Sequence, residues 1–504
     1  MKTNRIEKER KKEVYICIAI ILILFLSGFF IRFFPVRTGF HYWDECVYLQ
    51  HAEIISGTRS IENFNEFNIR PPLLPLLISL FYLPWHSVVM AHLVVSLISA
   101  LGIIFIFFLG KELFNKKIAI LSSLFYTFLP LTIQLSHDIL VDTVLPTFWI
   151  LVFLFTIKAI KGNGIKHSIF AGIFLALAIL MKSSSLILPF FIFLIFFIYS
   201  LYNIPNLNLR KRISNSFFEV MKNKKFWIIF ILAFIVMLPY FIWETLYFGN
   251  PLYSIVLYYL VVNWDTPTSF MVLYAEFNKL FPLILLLGVA FLIFLNVKRK
   301  FIKKEELSLF VIVIIFFLSM HTMGHKESRF LLPITPFLSL LSAKGLMDFA
   351  AISNIFKIRG KMLKTLKTII IFSFFILFFA SIFWIGQNAL KLNKNFVVNE
   401  ENDYMKASFW IRDNTSNESI IYVNTQYPVT AYYSERKIIV LPFWEKFQGK
   451  LPDIMSRPGY FVLFSETAEI RGPTESFIIK DSRFKLAKQI GESEGAIKIY
   501  EYKP

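Results

Sequence analysis

Apolar residues gather along this chain in blocks of about 18 to 25 positions separated by short polar stretches, the length that crosses roughly 30 Å of hydrocarbon as a helix. The pattern predicts about eleven membrane-spanning helices, near 14–32, 87–109, 118–133, 139–157, 168–181, 184–202, 226–247, 280–297, 307–322, 331–350 and 368–386. The stretch 71–85 reads as either a short further span or a helix lying at the interface. From about residue 390 the blocks end. Helical spacing over 404–413 and short apolar runs at 419–423, 437–441, 460–464 and 496–502 predict a small α/β domain instead.

Composition agrees with the pattern and excludes a water-soluble fold: 56% of the 504 residues are hydrophobic and only 17% are charged. The expected fold class is therefore a polytopic α-helical membrane protein with a small soluble C-terminal domain. Its expected parts are a transmembrane domain, 1–388, with a first outer loop at 33–86, and an extracytoplasmic domain, 389–504. Charge sets the expected orientation. The N-terminal tail and every second loop hold 29 Lys and Arg residues, and the other loops about eight. Basic short loops stay in the cytoplasm, which places the N-terminus inside and the C-terminal domain outside.

The net charge of +19 sits almost wholly in the membrane part, because the C-terminal region is nearly balanced, with 16 Lys and Arg against 15 Asp and Glu. That excess reads as topology and attraction to anionic lipid, not as a nucleic-acid surface. The two cysteines, Cys17 and Cys46, are poorly placed to pair. The basic, apolar N-terminus reads as a retained signal-anchor, since no small-residue cleavage site follows it. Sequons at Asn414 and Asn417 are compatible with an exterior location.

Candidate chemistry lies in the outer loops. The first carries Asp44 and Glu45 directly after a span, with Arg70 and a stiff Pro71-Pro72 turn before the chain re-enters lipid. Carboxylates at that depth are costly unless used or paired. Later outer loops add His137, Asp138 and Asp142, then Lys182, then His325, Lys326, Glu327 and Arg329. Asp138 and Asp142, four apart, are expected on one helix face. Acids and cations together suit one task, in which a carboxylate takes a proton from a hydroxyl nucleophile while Lys and Arg hold a phosphate leaving group.

The run Asp44-Glu45-x-x-Tyr48-x-x-x-Ala52-Glu53-Ile54-x-x-Gly57, followed by Arg70-Pro71-Pro72, resembles the first-loop signature of the GT-C superfamily of polyprenyl-phosphate-sugar-dependent glycosyltransferases. In form it is most similar to the protein O-mannosyltransferases and the aminoarabinose transferases that modify lipid A. The stretch from His325 through Lys326, Glu327, Ser328 and Arg329 to Phe330 resembles the His-Lys-Glu-x-Arg-Phe segment of dolichol-phosphate-mannose-dependent mannosyltransferases. The resemblance implies an inverting transfer of a sugar, mannose or a related hexose, from a polyprenyl or dolichyl phosphate to an acceptor hydroxyl at the outer face.

In that reading Asp44 is the general base and Glu45 orients it or the acceptor. Arg70, Lys326, Arg329 and Lys182 bind the lipid phosphate, and His137, Asp138, Asp142 and His325 contribute to acceptor or donor binding. The implied partners are the lipid-linked sugar, a protein, glycan or lipid acceptor, and membrane lipids. The expected location is a prokaryotic plasma membrane.

No cofactor is expected. Several histidines, His41, His51, His137, His321 and His325, fall near the outer face beside carboxylates, the chemistry of a divalent-ion site. Their spacing matches no local metal motif, and the Trp-Trp-Asp-Tyr-Gly signature of the superfamily's metal-using oligosaccharyltransferases is absent. Tyr42, Trp43, Trp85 and Trp264 read as interfacial anchors. A lipid-linked-sugar flippase or transporter is the alternative, but it predicts repeated halves and mid-membrane charges. Here the charges sit at span ends, and no internal repeat is seen. A scaffold displaying the C-terminal domain leaves the charged loops unexplained.

Overall fold

The structure is a computed structural model that describes residues 2–37, 39–40, 42–60, 70–204, 208–256, 283–299, 301–321, 323, 326–350, 397–398, 401–425, 427–442, 451–464, 472–491 and 495–504. Two compact units arise from it, one of residues 1–35, 69–73 and 95–396, the other of 36–68, 74–94 and 397–504. His41, Trp264, His325 and the expected span at 368–386 lie outside the described residues.

In chain order the elements begin with α1 (Lys2–Phe33), β1 (Val36–Arg37), α2 (Trp43–Ile55), α3 (Leu73–Tyr82) and α4 (Val88–Leu113). There follow α5 (Lys116–Thr127), α6 (Pro130–Leu135), α7 (Val141–Lys161), α8 (Lys166–Met181), a 3-10 turn (Ser183–Ile187) and α9 (Leu188–Asn203). Next come α10 (Leu209–Lys222), α11 (Lys224–Phe248), α12 (Leu283–Arg299), α13 (Lys304–His321), a second 3-10 segment (Ser328–Ile334) and α14 (Thr335–Ala350). Six of the described helices are long and apolar enough to cross a membrane. The chain is thus a polytopic helical membrane protein with a small α/β region at its C-terminal end.

The first unit is organised by how much of each helix is hidden. For α7 and for the 3-10 segment with α14, 83% and 89% of the apolar window are buried, against 22% for α1 and for α11, so the former two form the centre and the latter two expose most of their surface for lipid. Trp149 of α7 anchors that centre. Its indole N–H donates to Ser185 Oγ at 3.0 Å, and its ring meets Phe191 and Phe316 edge-on.

One expected span, 118–133, is not a single helix. Pro130 has no amide proton and disfavours a helical residue before it, so α5 ends at Thr127 and α6 restarts with Pro130 in its first turn. The break leaves carbonyls at the end of α5 that lipid cannot satisfy. Arg32, fully buried at the end of α1, supplies the donors: it bonds the carbonyls of Thr127 at 3.0 Å and Tyr126 at 3.1 Å, and the hydroxyl of Thr132 in α6.

Close backbone approach does similar work where no side chain fits. Gly345 of α14 meets Gly288 of α12 so closely that a Cβ at Gly345 would lie 1.9 Å from the Gly288 carbonyl oxygen. At the basic end of these helices Lys344 is shared by Glu306 of α13 at 3.1 Å and Asp348 at 2.5 Å.

The second unit holds β2 (Val397–Val398), which pairs in parallel with β1, and a five-stranded sheet. Its further elements are α15 (Asp403–Asn414), β3 (Ile420–Val423), α16 (Tyr427–Ser434), β4 (Lys437–Val440), α17 (Leu451–Ile454), β5 (Gly459–Phe464), α18 (Glu475–Ile478), β6 (Phe484–Ile490) and β7 (Ile497–Tyr502). Strand order is β4-β3-β5-β7-β6, parallel through β5 and antiparallel beyond.

Alternation explains the layers. Ile420 and Tyr422 join a core with Leu451 and Ile478 on one face, while Ile421 and Val423 join one with Ala407 and Ile411 of α15 on the other. The expected helix and four strands all appear. Strand β6 was not expected, because as an edge strand it buries only Phe484 fully and otherwise presents lysines to water.

Gly345→Val should therefore force α12 and α14 apart. Thermal unfolding of the purified protein in detergent is expected to drop by several degrees, about 2 kcal/mol or more for an overpacked contact. Gly164→Ala, which meets open space, should leave the transition in place.

Candidate active site

Asp44 and Glu45 occupy the first turn of α2, which Tyr42 opens in extended conformation. Glu45 closes that turn on itself: its carboxylate accepts the Tyr42 N–H at 3.0 Å, and its own N–H donates to the Tyr42 carbonyl at 3.0 Å. The positive end of the helix dipole favours both carboxylates there. They are nonetheless buried, Asp44 5% and Glu45 2% exposed, so each is held out of bulk water in a fixed orientation.

The far end of α2 is pinned by a buried ion pair. Arg59 Nε donates to Glu53 Oε2 at 2.6 Å, and its other nitrogens donate to the carbonyls of Ala431 at 2.9 Å and Tyr432 at 2.8 Å, on α16. His86 contacts the second Glu53 oxygen at 3.1 Å. Packing of Trp43 on Tyr427 and of Phe40 on Tyr433 continues the seam along α16. Burial raises the Glu53 carboxyl above its ordinary value near 4.5, and the charges of Arg59 and His86 pull it back only in part. Glu53 is part of the first-loop motif, but its partners Arg59 and His86 are six and 33 residues away, and Arg59 in turn reaches carbonyls 372 and 373 residues from it. Only the fold assembles this brace.

In the first unit the outer-loop residues gather around α7. Lys182, at the end of α8, donates to Asp142 Oδ1 at 2.6 Å and lies 4.4 Å from the centre of the Phe330 ring. These residues line a small cavity whose remaining wall is mostly apolar, with Phe316, Met320 and Pro333 beside Ser184. The 3-10 segment that carries Arg329 and Phe330 packs on α7 and α6. Arg329 is ion-paired with Glu327, Nε lying 2.7 Å from Oε2, and a terminal nitrogen donates to Oε1 at 2.9 Å. Lys326 is buried and donates to the Met323 carbonyl at 2.5 Å.

Arg70 is half-buried and belongs to the first unit; His137 and Asp138 are buried in the same unit. Asp138 does not share a helix face with Asp142. Leu140 caps α7 and its N–H returns to the Asp138 carbonyl at 3.0 Å, so Asp138 lies in the turn before the helix and Asp142 in its first turn.

The arrangement is chemically legible within each unit. A buried carboxylate at a helix start is a base shielded from water. A lysine held by one carboxylate at the polar end of an apolar cavity can exchange that partner for a phosphate oxygen. Among the described residues no three His, Cys, Asp or Glu side chains converge as a metal-binding set.

Comparison with known proteins places this geometry. The family described as dolichyl-phosphate-mannose-protein mannosyltransferase matches residues 69–243. No curated protein matches by sequence. Among solved structures, ArnT from Cupriavidus metallidurans bound to undecaprenyl phosphate superposes with a TM-score of 0.59 at 12% identity, over 97% of this chain and 98% of that one. The oligosaccharyltransferase AglB of Archaeoglobus fulgidus, in complex with an inhibitory peptide and a dolichol-phosphate, gives 0.60 at 15% identity, over 90% of this chain and 70% of that one. Arabinofuranosyltransferase AftD from mycobacteria gives 0.55 at 12%, over 95% and 41%. The chain shares its fold with these membrane transferases.

Removing Arg59 should release the α2 brace. Arg59→Ala is expected to destabilise the protein by about 3 kcal/mol, the cost of stripping one partner from a buried pair, read as a lowered unfolding midpoint. Because folding raises the Glu53 pKa, the native state holds that proton to higher pH than the unfolded chain does. The Glu53 contribution to stability then falls as pH rises from about 4.5 through the raised value. Glu53→Gln should flatten that segment of the stability profile.

Proposed function

We propose that this chain is an inverting glycosyltransferase that moves a hexose, mannose before other sugars, from a polyprenyl or dolichyl phosphate to an acceptor hydroxyl at the outer membrane face. The observation that carries the reading is the buried acidic pair in the first turn of α2, at the place where the first-loop motif calls for a catalytic carboxylate. The GT-C fold and the family match over 69–243 support the reaction class. The mannosyltransferase-like stretch ending in Arg329 and Phe330 supports the choice of sugar.

In this mechanism Asp44 accepts the proton of the acceptor hydroxyl as its oxygen bonds to the anomeric carbon. The bond from that carbon to the phosphate oxygen breaks on the opposite side, and the electron pair leaves with the lipid phosphate, inverting the centre. Glu45, engaged with the backbone of Tyr42, holds the turn that aims Asp44 and is a positioning residue. Phosphate leaves well, so the demand is for charge stabilisation more than for an acid. Arg70, Lys182, Lys326 and Arg329 are assigned to the phosphate, and His137, Asp138, Asp142 and His325 to acceptor or donor binding. The acceptor is a protein, glycan or lipid hydroxyl. The proposed location is the plasma membrane, with the N-terminus cytoplasmic and the C-terminal region outside.

The purified protein in lipid, given radiolabelled polyprenyl-phosphate mannose, glucose and aminoarabinose with candidate acceptors, should consume the mannose donor fastest. Asp44→Asn should cut turnover at least about 100-fold, the usual worth of a general base. Lys182→Gln should act mainly on the KM for donor. Donors left intact by folded wild type would defeat the reaction class, and an Asp44→Asn variant as fast as wild type would defeat the base assignment alone.

A further inference from the structure

The basic segment between α9 and α11 was expected only as an inner loop, but it forms the helix α10. It is pinned along the end of α9: Ser200 donates to Glu219, Arg212 Nε donates to the Leu201 carbonyl at 2.6 Å, and Ser216 and Val220 are buried. Outside that seam the helix exposes Leu209, Ile213, Phe217 and Phe218, the first by 69% and the last by 56%. A helix bathed in water on its free side has no use for four bulky apolar side chains.

The same segment exposes four cations, Arg210, Lys211, Lys222 and Lys224, against a single carboxylate, Glu219, already engaged by Ser200. At about 100° per residue, Leu209, Ile213, Val220 and Phe217 fall in one sector, and Lys211 and Lys222 lie on the far side of the helix together with Phe218. Helix α10 joins two segments that are each long and apolar enough to span a membrane, Ser183–Asn203 and Lys224–Phe248. It therefore sits at the depth where spans end and phospholipid headgroups begin. Trp227 reinforces that level, 47% exposed with its indole N–H on the Met221 carbonyl at 2.7 Å.

We propose that α10 is an interfacial lipid-binding helix, with Leu209, Ile213 and Phe217 seated at the acyl boundary and its cations bound to the phosphates of anionic phospholipid. The occupant is lipid and not a protein partner, because the helix lies in the chain between two spans and its charge complements an anionic leaflet. The sugar-transfer reading is independent of this surface.

The test uses the full-length protein in neutral detergent, with phosphatidylglycerol or phosphatidylcholine added and bound lipid counted by native mass spectrometry. Wild type should hold phosphatidylglycerol at least tenfold tighter than phosphatidylcholine, with the preference fading at high salt. Each neutralised cation should cost about fivefold. Arg210→Gln, Lys211→Gln, Lys222→Gln and Lys224→Gln together should abolish the preference, and Lys211→Gln with Lys222→Gln, milder for folding, should already cost tenfold or more. The control Lys298→Gln with Lys303→Gln, basic and exposed but outside α10, should keep it. Equal binding of both lipids by wild type, an undiminished preference in the α10 variants, or an equal loss in the control would each overturn the proposal.

Discussion

A polar group inside hydrocarbon must find its partner within the protein, and the first unit is arranged around that constraint. Pro130 breaks the ladder after α5, and the freed carbonyls of Tyr126 and Thr127 can be paired only by a donor brought from another helix. Arg32 is that donor, and its placement fixes α1 against α5 and α6. The same rule puts Lys344 between Glu306 and Asp348, and the Trp149 indole on Ser185. Apolar surface does little to select one helix packing over another in lipid. These bonds, with the glycine contact between α12 and α14, select it.

Charge in the candidate site follows a related economy. Lys182 is matched by Asp142, and Arg329 by Glu327, so each of these two cations already has an anion beside it. Such pairs tolerate low polarity at modest cost because the carboxylate offsets the desolvation of the cation. They also spare the cavity beside Lys182 a bare charge. The acids of α2 are stabilised differently, by the helix start and by the Tyr42 amide.

Block length and composition announced the membrane bundle, and apolar alternation announced most of the C-terminal sheet. The misses share a cause: in each, a local cue outweighed the periodic one, or a partner lay far away in the chain. The block at 118–133 reads as one span until Pro130 is weighed as a helix start. Asp138 and Asp142 have helical spacing, but Leu140 caps the helix between them. Strand β6 is hidden by its lysines, and α10 by being amphipathic where the neighbouring segments are uniformly apolar. The acidic pair of the site was visible as residues through the longer first-loop motif that carries it, since an Asp-Glu pair beside a span is common by itself. The Arg59 brace was not, because Ala431 and Tyr432 offer only backbone carbonyls and leave no mark in composition or spacing.

That brace also orders events in time. Arg59 leaves the ribosome 372 residues before Ala431, the residue whose carbonyl it holds. At ordinary rates of synthesis the interval is roughly twenty seconds to over a minute. Throughout it the acidic helix has been made while its mooring has not. The acidic helix thus reaches its final form only once α16 has been made, and a nascent chain that lacks α16 cannot present Asp44 in the same setting.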